Sequence, residues 1–291
     1  MKRARLHPAN RPQRTPVSSG QARLSVSLVA GQSSVISARA GNPLKLLIPT
    51  PRGRSVSACL TNLGGGYVAG DQTRLDIEVD AGAACVVGTQ GSTKIYRNPL
   101  RRPCSHFTAA RVADEALLVL APDVVQAYAD STYAQQQEVH LAPGGALVLV
   151  DWLSSGRSDA GEHWVFNRYQ SRTDIFAADG LSSRRLFLDS LRLESNDGPA
   201  GVARSMGRFH CLALLLVLGP MLAGISTDLL ADIHGREIRA RSALVTSVSP
   251  IEGGAILRVA GESVELVRHE LHRHLIALTP VLGDDPWSRK F

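Results

Sequence analysis

Three short apolar runs constrain this chain more than any other feature. They are Ala83-Ala84-Cys85-Val86-Val87, Ala116-Leu117-Leu118-Val119-Leu120 and Ala146-Leu147-Val148-Leu149-Val150. Each follows an alternating segment and a small turn, and the turns read Asp80-Ala81-Gly82, Ala113-Asp114-Glu115 and Pro143-Gly144-Gly145. An alternating segment is a strand with one wet face, whereas a short unbroken apolar run is a strand buried on both faces. A unit of this kind cannot bury its own apolar face. Recurring roughly every 30 residues, such units stack so that each covers the next. The spacing in which Ala83, Ala116 and Ala146 correspond predicts a mainly β chain with a body of stacked β-hairpins or a β-helix-like coil.

The first unit lies in the stretch 60–97, LTNLGGGYVAGDQTRLDIEVDAGAACVVGTQGSTKIYR. Gly64, Gly65 and Gly66 are consecutive, and Gly70 precedes Asp71. Glycines this dense mark backbone that turns through positive φ or is approached closely by another group. From Thr73 the alternation is strict: Thr73, Leu75, Ile77 and Val79 face one way, Arg74, Asp76 and Glu78 the other. Lys94, Tyr96 and Arg97 close the unit, which reads as a functional loop mounted on a rigid hairpin.

Farther on, the segment GRSDAGE sets Gly156, Arg157, Gly161 and Glu162 in a polar loop. GGGYVAGD, then TQGSTKIYR, then GRSDAGE, in that order, resemble the urease accessory protein D/H family, and the similarity runs from about Leu60 to the C-terminus. The chain departs from the family pattern at Leu63, where proline is commoner, and at Ser158-Asp159. The resemblance implies a non-enzymatic protein that binds apo-urease, a helical accessory protein F and a GTPase G, and that serves insertion of nickel into the apo-enzyme. It implies no tightly bound cofactor, only nickel in transit.

Beyond Ser195-Asn196-Asp197-Gly198-Pro199, a strong breaker, the pattern changes. A buried strand over 209–218, helical spacing over 221–234, two short strands and a helix over 262–278 follow; Val264, Val267, Leu271, Leu275 and Leu278 form one stripe of that helix. The expected organisation is a basic Pro/Arg-rich disordered tail at 1–19, a β body at 20–199, and a C-terminal α+β portion at 200–291, with two helices, packed on the body.

The net charge of +6 invites a nucleic-acid reading, but no Asp or Glu precedes Asp71. The basic excess belongs to the front of the chain; residues from 71 onward are net acidic. A tail with almost no apolar content cannot order itself and lacks the apolar segment of a secretory signal. Cys59, Cys85, Cys104 and Cys211 form no C-x-x-C pair, which with that absence points to free thiols in the reducing cytoplasm. The longest apolar run is well short of the ~20 residues a membrane span needs. No nucleic-acid or membrane partner is expected.

The glycine loop does not fit a phosphate cradle, which ends Gly-Lys-Ser/Thr; here it ends Gly70-Asp71. No Gly-x-Ser-x-Gly elbow occurs. Glu265, His269 and His272 fall at i, i+4 and i+7 of the last helix, a spacing that sets a carboxylate and two imidazoles on one face as a divalent-metal trio or, more plainly, as a solvated polar face. Asp71, Lys94, Arg97, Asp151, Arg157 and Glu162 are charged groups in apolar or glycine-rich surroundings, where an unpaired charge is costly. They read either as a salt-bridge network joining the loops, Asp71 or Glu162 with Lys94 or Arg157, or as the walls of a polar passage through the body. The resemblance favours the passage, with nickel moving along it. Residues 118–133 resemble the family's exposed loop after the second unit, and the resemblance implies a partner face there. A β-rich hydrolase or lyase with its site at the Gly64–Asp71 loop is the alternative.

Overall fold

In a computed structural model of the chain, residues 18–100, 102–179, 182–196, 201–237 and 239–288 are described. The expected tail at 1–19 falls, apart from its last two residues, outside them. The Asp179-Gly180 pair is a two-residue hairpin turn signal in the sequence; Asp179 ends a strand, and the turn itself lies beyond the described residues.

Two sheets, one of seven strands and one of eleven, face each other across an apolar core. In the smaller sheet, strands Gln21–Val29, Gln72–Val79, Cys104–Val112, Thr132–Leu141 and Arg168–Asp179 run parallel, with antiparallel hairpin partners Gln32–Ala40 and Ser182–Glu194 at its two edges. In the larger sheet, Val56–Asn62, Ala84–Thr89, Leu117–Leu120 and Ala146–Ser154 run parallel. The chain therefore coils. Gln72–Val79 crosses to Ala84–Thr89, Cys104–Val112 to Leu117–Leu120, and Thr132–Leu141 to Ala146–Ser154.

The stacking predicted from the three apolar runs is present in its β-helix-like form: the two strands flanking each turn lie in opposite sheets and do not pair with one another. Their corners stack as well, since Gly82 N–H donates to the Asp114 carbonyl at 3.1 Å and Gly144 N–H to Asp114 Oδ1 at 2.8 Å. One detail of the spacing is off. Leu117 pairs with Ala84 and with Ala146, so the third run is displaced by one residue from the frame that matches Ala116 to Ala146. A one-residue slip swaps the faces of a strand, and the observed register is the one that puts Cys85, Leu118 and Leu147 together in the core between the sheets.

From Cys211 the order is strand–helix–strand–strand–helix, as the pattern indicates, but beyond the two expected helices a short one, Gly201–Met206, precedes the first strand and a single turn, Thr279–Leu282, follows the second long helix. Cys211–Leu218, Gly254–Gly261 and Leu244–Ile251 extend the larger sheet antiparallel from Ala146–Ser154. Helices Ala223–His234 and Val264–Leu275 cover its outer face, where Val119, Val148, Val150 and Trp152 meet Leu229, Ile233, Val267, Leu271 and Leu275. Burying each such side chain contributes roughly 1.5–3 kcal/mol. The second long helix, the last helix expected from the sequence, is capped by Ser263, whose Oγ accepts from Leu266 N–H at 3.3 Å and so satisfies one of the free N–H groups of the first turn. The stretch 118–133 is not an exposed loop: Leu118, Val119, Leu120, Val125, Ala127 and Tyr133 are buried, because Leu117–Leu120 and Val125–Ala127 of the larger sheet and the start of Thr132–Leu141 of the smaller one run through it. None of the described helices is long and apolar enough to cross a membrane.

Candidate functional site

Parallel stacking lines up equivalent residues of successive strands, and on the inner face of the smaller sheet these rows change character along the strand direction. Ile77, Ala110, Val139 and Ile175 form an apolar row. Leu75, Thr108, Gln137 and Thr173 form the next inward row, and Thr73, His106, Gln135 and Ser171 the one after it. Beyond them lie Cys104, Tyr133 and Tyr169. The core between the sheets is thus dry at one end and polar at the other.

Asp151 faces these polar rows from the larger sheet, at an inward position of Ala146–Ser154 otherwise filled by Leu147, Leu149 and Leu153. Gln135 Nε2 donates to its Oδ1 at 2.7 Å, Ser171 Oγ donates to Oδ2, and Tyr169 OH lies 3.5 Å from Oδ1. Burial pushes the Asp151 carboxyl above its ordinary range; the Ser171 and Gln135 hydrogen bonds pull it back, and the charge of Asp189 adds to the rise. Its polar neighbours are neutral hydroxyl and amide groups. His106 is held by Thr73 Oγ1 at 2.7 Å and Tyr67 OH at 3.2 Å on Nδ1, and by Thr108 Oγ1 at 3.1 Å on Nε2. Burial lowers its pKa to about 4, so it is a neutral imidazole at pH 7. Burial and the Asp71 charge push the Cys104 thiol up to about 12, which leaves it protonated.

Three cavities adjoin in this region. One of about 410 Å³ opens beside the glycine loop at Gly65, Gly66, Gly91 and Lys94. It shares Leu60, Tyr67, Thr89 and Thr93 with an inner cavity of about 90 Å³, walled also by His106, Thr108, Gln135, Gln137, Asp123 and Asp151. The inner cavity in turn shares Asp151 and Trp152 with a third, of about 340 Å³, where Arg258 Nη2 donates to Asp189 Oδ1 at 2.9 Å across the two sheets. Asp151 stands at the inner junction.

The glycine loop and the second loop meet at one end of the coil. Gly66 and Tyr67 pair with Lys94 and Ile95, and a Cβ at Gly66 would sit 2.4 Å from the Lys94 carbonyl oxygen, so only glycine allows that approach. Gly64 has a φ of +106°, and its carbonyl accepts from Tyr96 OH at 3.2 Å. Gly65 N–H donates to the Asn62 carbonyl and Gly70 N–H to the Arg102 carbonyl. Asp71 folds back on the loop and accepts Val68 N–H at 2.9 Å. Tyr96 packs edge-on against Tyr128, and the Arg157 guanidinium lies 4.6 Å above the Tyr128 ring. Arg157 also grips Glu162, which it holds below the ordinary carboxylate range, and Glu162 accepts Ala129 N–H at 3.2 Å. Gly156 admits the Glu162 and Ala127 carbonyls close by, and Gly161 N–H closes a single helical turn on the Ser158 carbonyl. Arg97 pairs with Asp130 at 2.7 Å.

Of the salt bridges expected to join the loops, Arg157 with Glu162 forms but lies within the second loop, which reaches its neighbours through Tyr128 and Ala129 N–H; Asp71 is engaged by backbone and Lys94 contributes its main chain to the pairing. On the last helix Glu265 and His269 are exposed, and His272 Nε2 bonds Asp285 at 2.7 Å. The described side chains that converge closely enough to hold an ion are instead Asp232, Glu270 and His274, and Arg236 and Arg273 already occupy those carboxylates. Sequence reading did not single out Tyr67, Thr73, His106, Gln135, Ser171, Asp189 or Arg258. The signal for the strand residues among them was weak: a polar residue at an inward position of an alternating strand.

The family model of the UreD urease accessory protein matches residues 18–290. The chain is 43% identical to the urease accessory protein UreD of Sorangium cellulosum, over 94% of this chain and 84% of that protein. It is 36% identical to the UreD of Anaeromyxobacter sp. over 93% and 89%, and 32% identical to the urease accessory protein D of Oryza sativa subsp. indica over 90% and 93%. A match across nearly all of the described fold, together with these relatives, establishes that the chain belongs to the UreD urease accessory protein family.

Proposed function

We propose that this chain acts in the maturation of urease as a scaffold and nickel guide. It binds apo-urease, links it to the helical accessory protein F and the GTPase G, and lets nickel travel through its β body in the cytoplasm. The observation that carries the passage is Asp151, a buried carboxylate shared by two adjoining cavities and faced by neutral oxygen and nitrogen groups. Divalent nickel in transit needs such a lining: one anion to offset its charge, and polar groups to replace its water without holding it tightly. Asp123 and Asp189 add carboxylates on either side. In this reading Asp71 and Glu162 shape the loops, and Gly64, Gly65, Gly66 and Gly70 form the rim of the first cavity.

At the glycine loop, where the hydrolase or lyase alternative places its site, Asp71 Oδ2 accepts Val68 N–H and so helps to close the turn. Reconstitution tests the proposal: apo-urease, proteins F and G, GTP and nickel are combined with and without this chain. Urease activity that appears only with the chain is the expected result. Equal activation without it, and no complex between the chain and its partners, would remove the proposal.

A further inference from the structure

The cavity beside the glycine loop differs in sign from those it adjoins. The inner and third cavities carry the carboxylates Asp123, Asp151 and Asp189, the last paired with Arg258. The outer one has no carboxylate in its wall, and its single formal charge is that of Lys94. A cation route does not account for a lysine there. Lys94 is half-buried, and among the described residues its side chain forms no ion pair or hydrogen bond. Its strand, Thr93–Ile95, pairs on both sides, with Gly66–Tyr67 and with Val125–Ala127, so its backbone is fixed. Just before it, the N–H groups of Gly91 and Ser92 meet no backbone acceptor among the described residues, whereas Thr93 N–H is taken by the Val124 carbonyl at 2.9 Å. Asn62 also lines the cavity, and its Oδ1 and Nδ2 are shielded from solvent without a hydrogen-bond partner among the described residues. A shielded amide is costly unless something satisfies it. Asp123, the nearest carboxylate of the inner cavity, accepts from Thr89 Oγ1 at 2.8 Å, and Asp71 does not line the outer cavity.

We infer that this cavity is a binding site for a small oxyanion, a phosphate or a carboxylate. The Lys94 ammonium supplies the compensating charge, and the Gly91 and Ser92 N–H groups, the Ser92 hydroxyl and Asn62 Nδ2 supply hydrogen-bond donors. Asn62 Oδ1 asks for a donor in return, which hydrogen phosphate or the water on a carboxylate provides. The space of about 410 Å³ far exceeds the roughly 30 Å³ of one water, so an ion enters with part of its hydration shell. The site is no nucleotide cradle, because Lys94 stands on a strand and no helix follows the glycines. The oxyanion comes either as a free ion or on an acidic side chain of a protein partner. The inference is independent of the passage, since Asp151 does not line this cavity.

The test is a titration of the full chain, isotope-labelled at glycine and serine, with sodium phosphate and separately with sodium acetate. Sodium chloride holds the ionic strength constant, and the Gly91 and Ser92 amides are followed by NMR. Both amides are expected to shift along one saturating curve with either anion. Lys94→Gln should weaken binding at least about tenfold, the loss of one charge-assisted hydrogen bond, whereas Lys94→Arg should retain it. Amides of the wild type that stay still in millimolar phosphate would overturn the inference, a result that needs no variant. Equal affinity in Lys94→Gln, shown to be folded by circular dichroism, would overturn it as well. Capture of the chain on immobilised apo-urease, in phosphate or in chloride of equal ionic strength, then separates the sources. Weaker capture in phosphate identifies an acidic side chain of urease as the occupant, and equal capture identifies a free ion; either result upholds the site. Because the titration uses neither nickel nor Asp151, its failure leaves the passage standing, and the converse also holds.

Discussion

Replacing Glu270 by glutamine tests how the two long helices are held to each other. Glu270 is 5% exposed on the inner side of the last helix, and it accepts from Arg236 Nη2 and meets His274 Nε2, each at 2.7 Å. Burial alone would raise its carboxyl, but the His274 and Arg236 bonds outweigh this and bring it down from 4.5 to about 2. At 1.36 kcal/mol for each pKa unit, the ionised form stabilises the fold by about 3 kcal/mol at neutral pH, close to the roughly 3–5 kcal/mol lost when a buried pair is broken. The folded pKa lies below the unfolded one, so in this window the unfolded state binds more protons and stability rises with pH. The contribution is complete above about pH 5.5 and is lost as pH falls through 4.5 toward 2. Urea unfolding of Glu270→Gln and wild type should therefore differ by about 3 kcal/mol at pH 7, and by less at pH 4. A difference under about 1 kcal/mol at pH 7, or one that does not shrink with acid, would refute the reasoning.

Two further outcomes follow from the loops. Gly66→Ala should cost on the order of 2 kcal/mol in urea unfolding, because its Cβ meets a backbone oxygen that cannot move aside without breaking the pairing with Lys94 and Ile95; an unchanged midpoint would show that the loop has slack. Arg157→Lys should leave global stability nearly unchanged yet speed amide exchange at Ala129, since lysine neither stacks on Tyr128 nor holds Glu162 through two nitrogens; equal exchange rates would deny Arg157 a role in ordering the loop.

Much of the coil was legible because repetition and alternation are properties of consecutive residues. Cys85, Leu118 and Leu147 belong to three runs that the sequence displays openly, and only the register of the third run, set by pairing with its neighbour, was hidden by one residue. Asp151 stood out as a carboxylate inside an apolar run. Its company did not: Gln135 and Ser171 come from strands of the opposite sheet, and the contact depends on how the two sheets face each other. The last helix shows the same limit. Helical spacing sets Glu265, His269 and His272 along one helix, but Asp232, on the other long helix, draws the charged contacts toward Glu270 and His274, a pairing that spacing within one helix cannot reveal.

Asp151→Asn bears on the central claim most directly. Asparagine keeps the shape and most hydrogen bonds while removing the one charge at the inner junction. Because the folded pKa of Asp151 is raised, wild type loses stability as pH climbs above the ordinary aspartate range, and the variant should be more resistant to urea than wild type at pH 7. In the reconstitution with apo-urease, F, G, GTP and nickel, the passage account predicts that this sturdier protein still assembles with its partners but activates urease poorly. Full activation by a folded, assembled Asp151→Asn protein would contradict it.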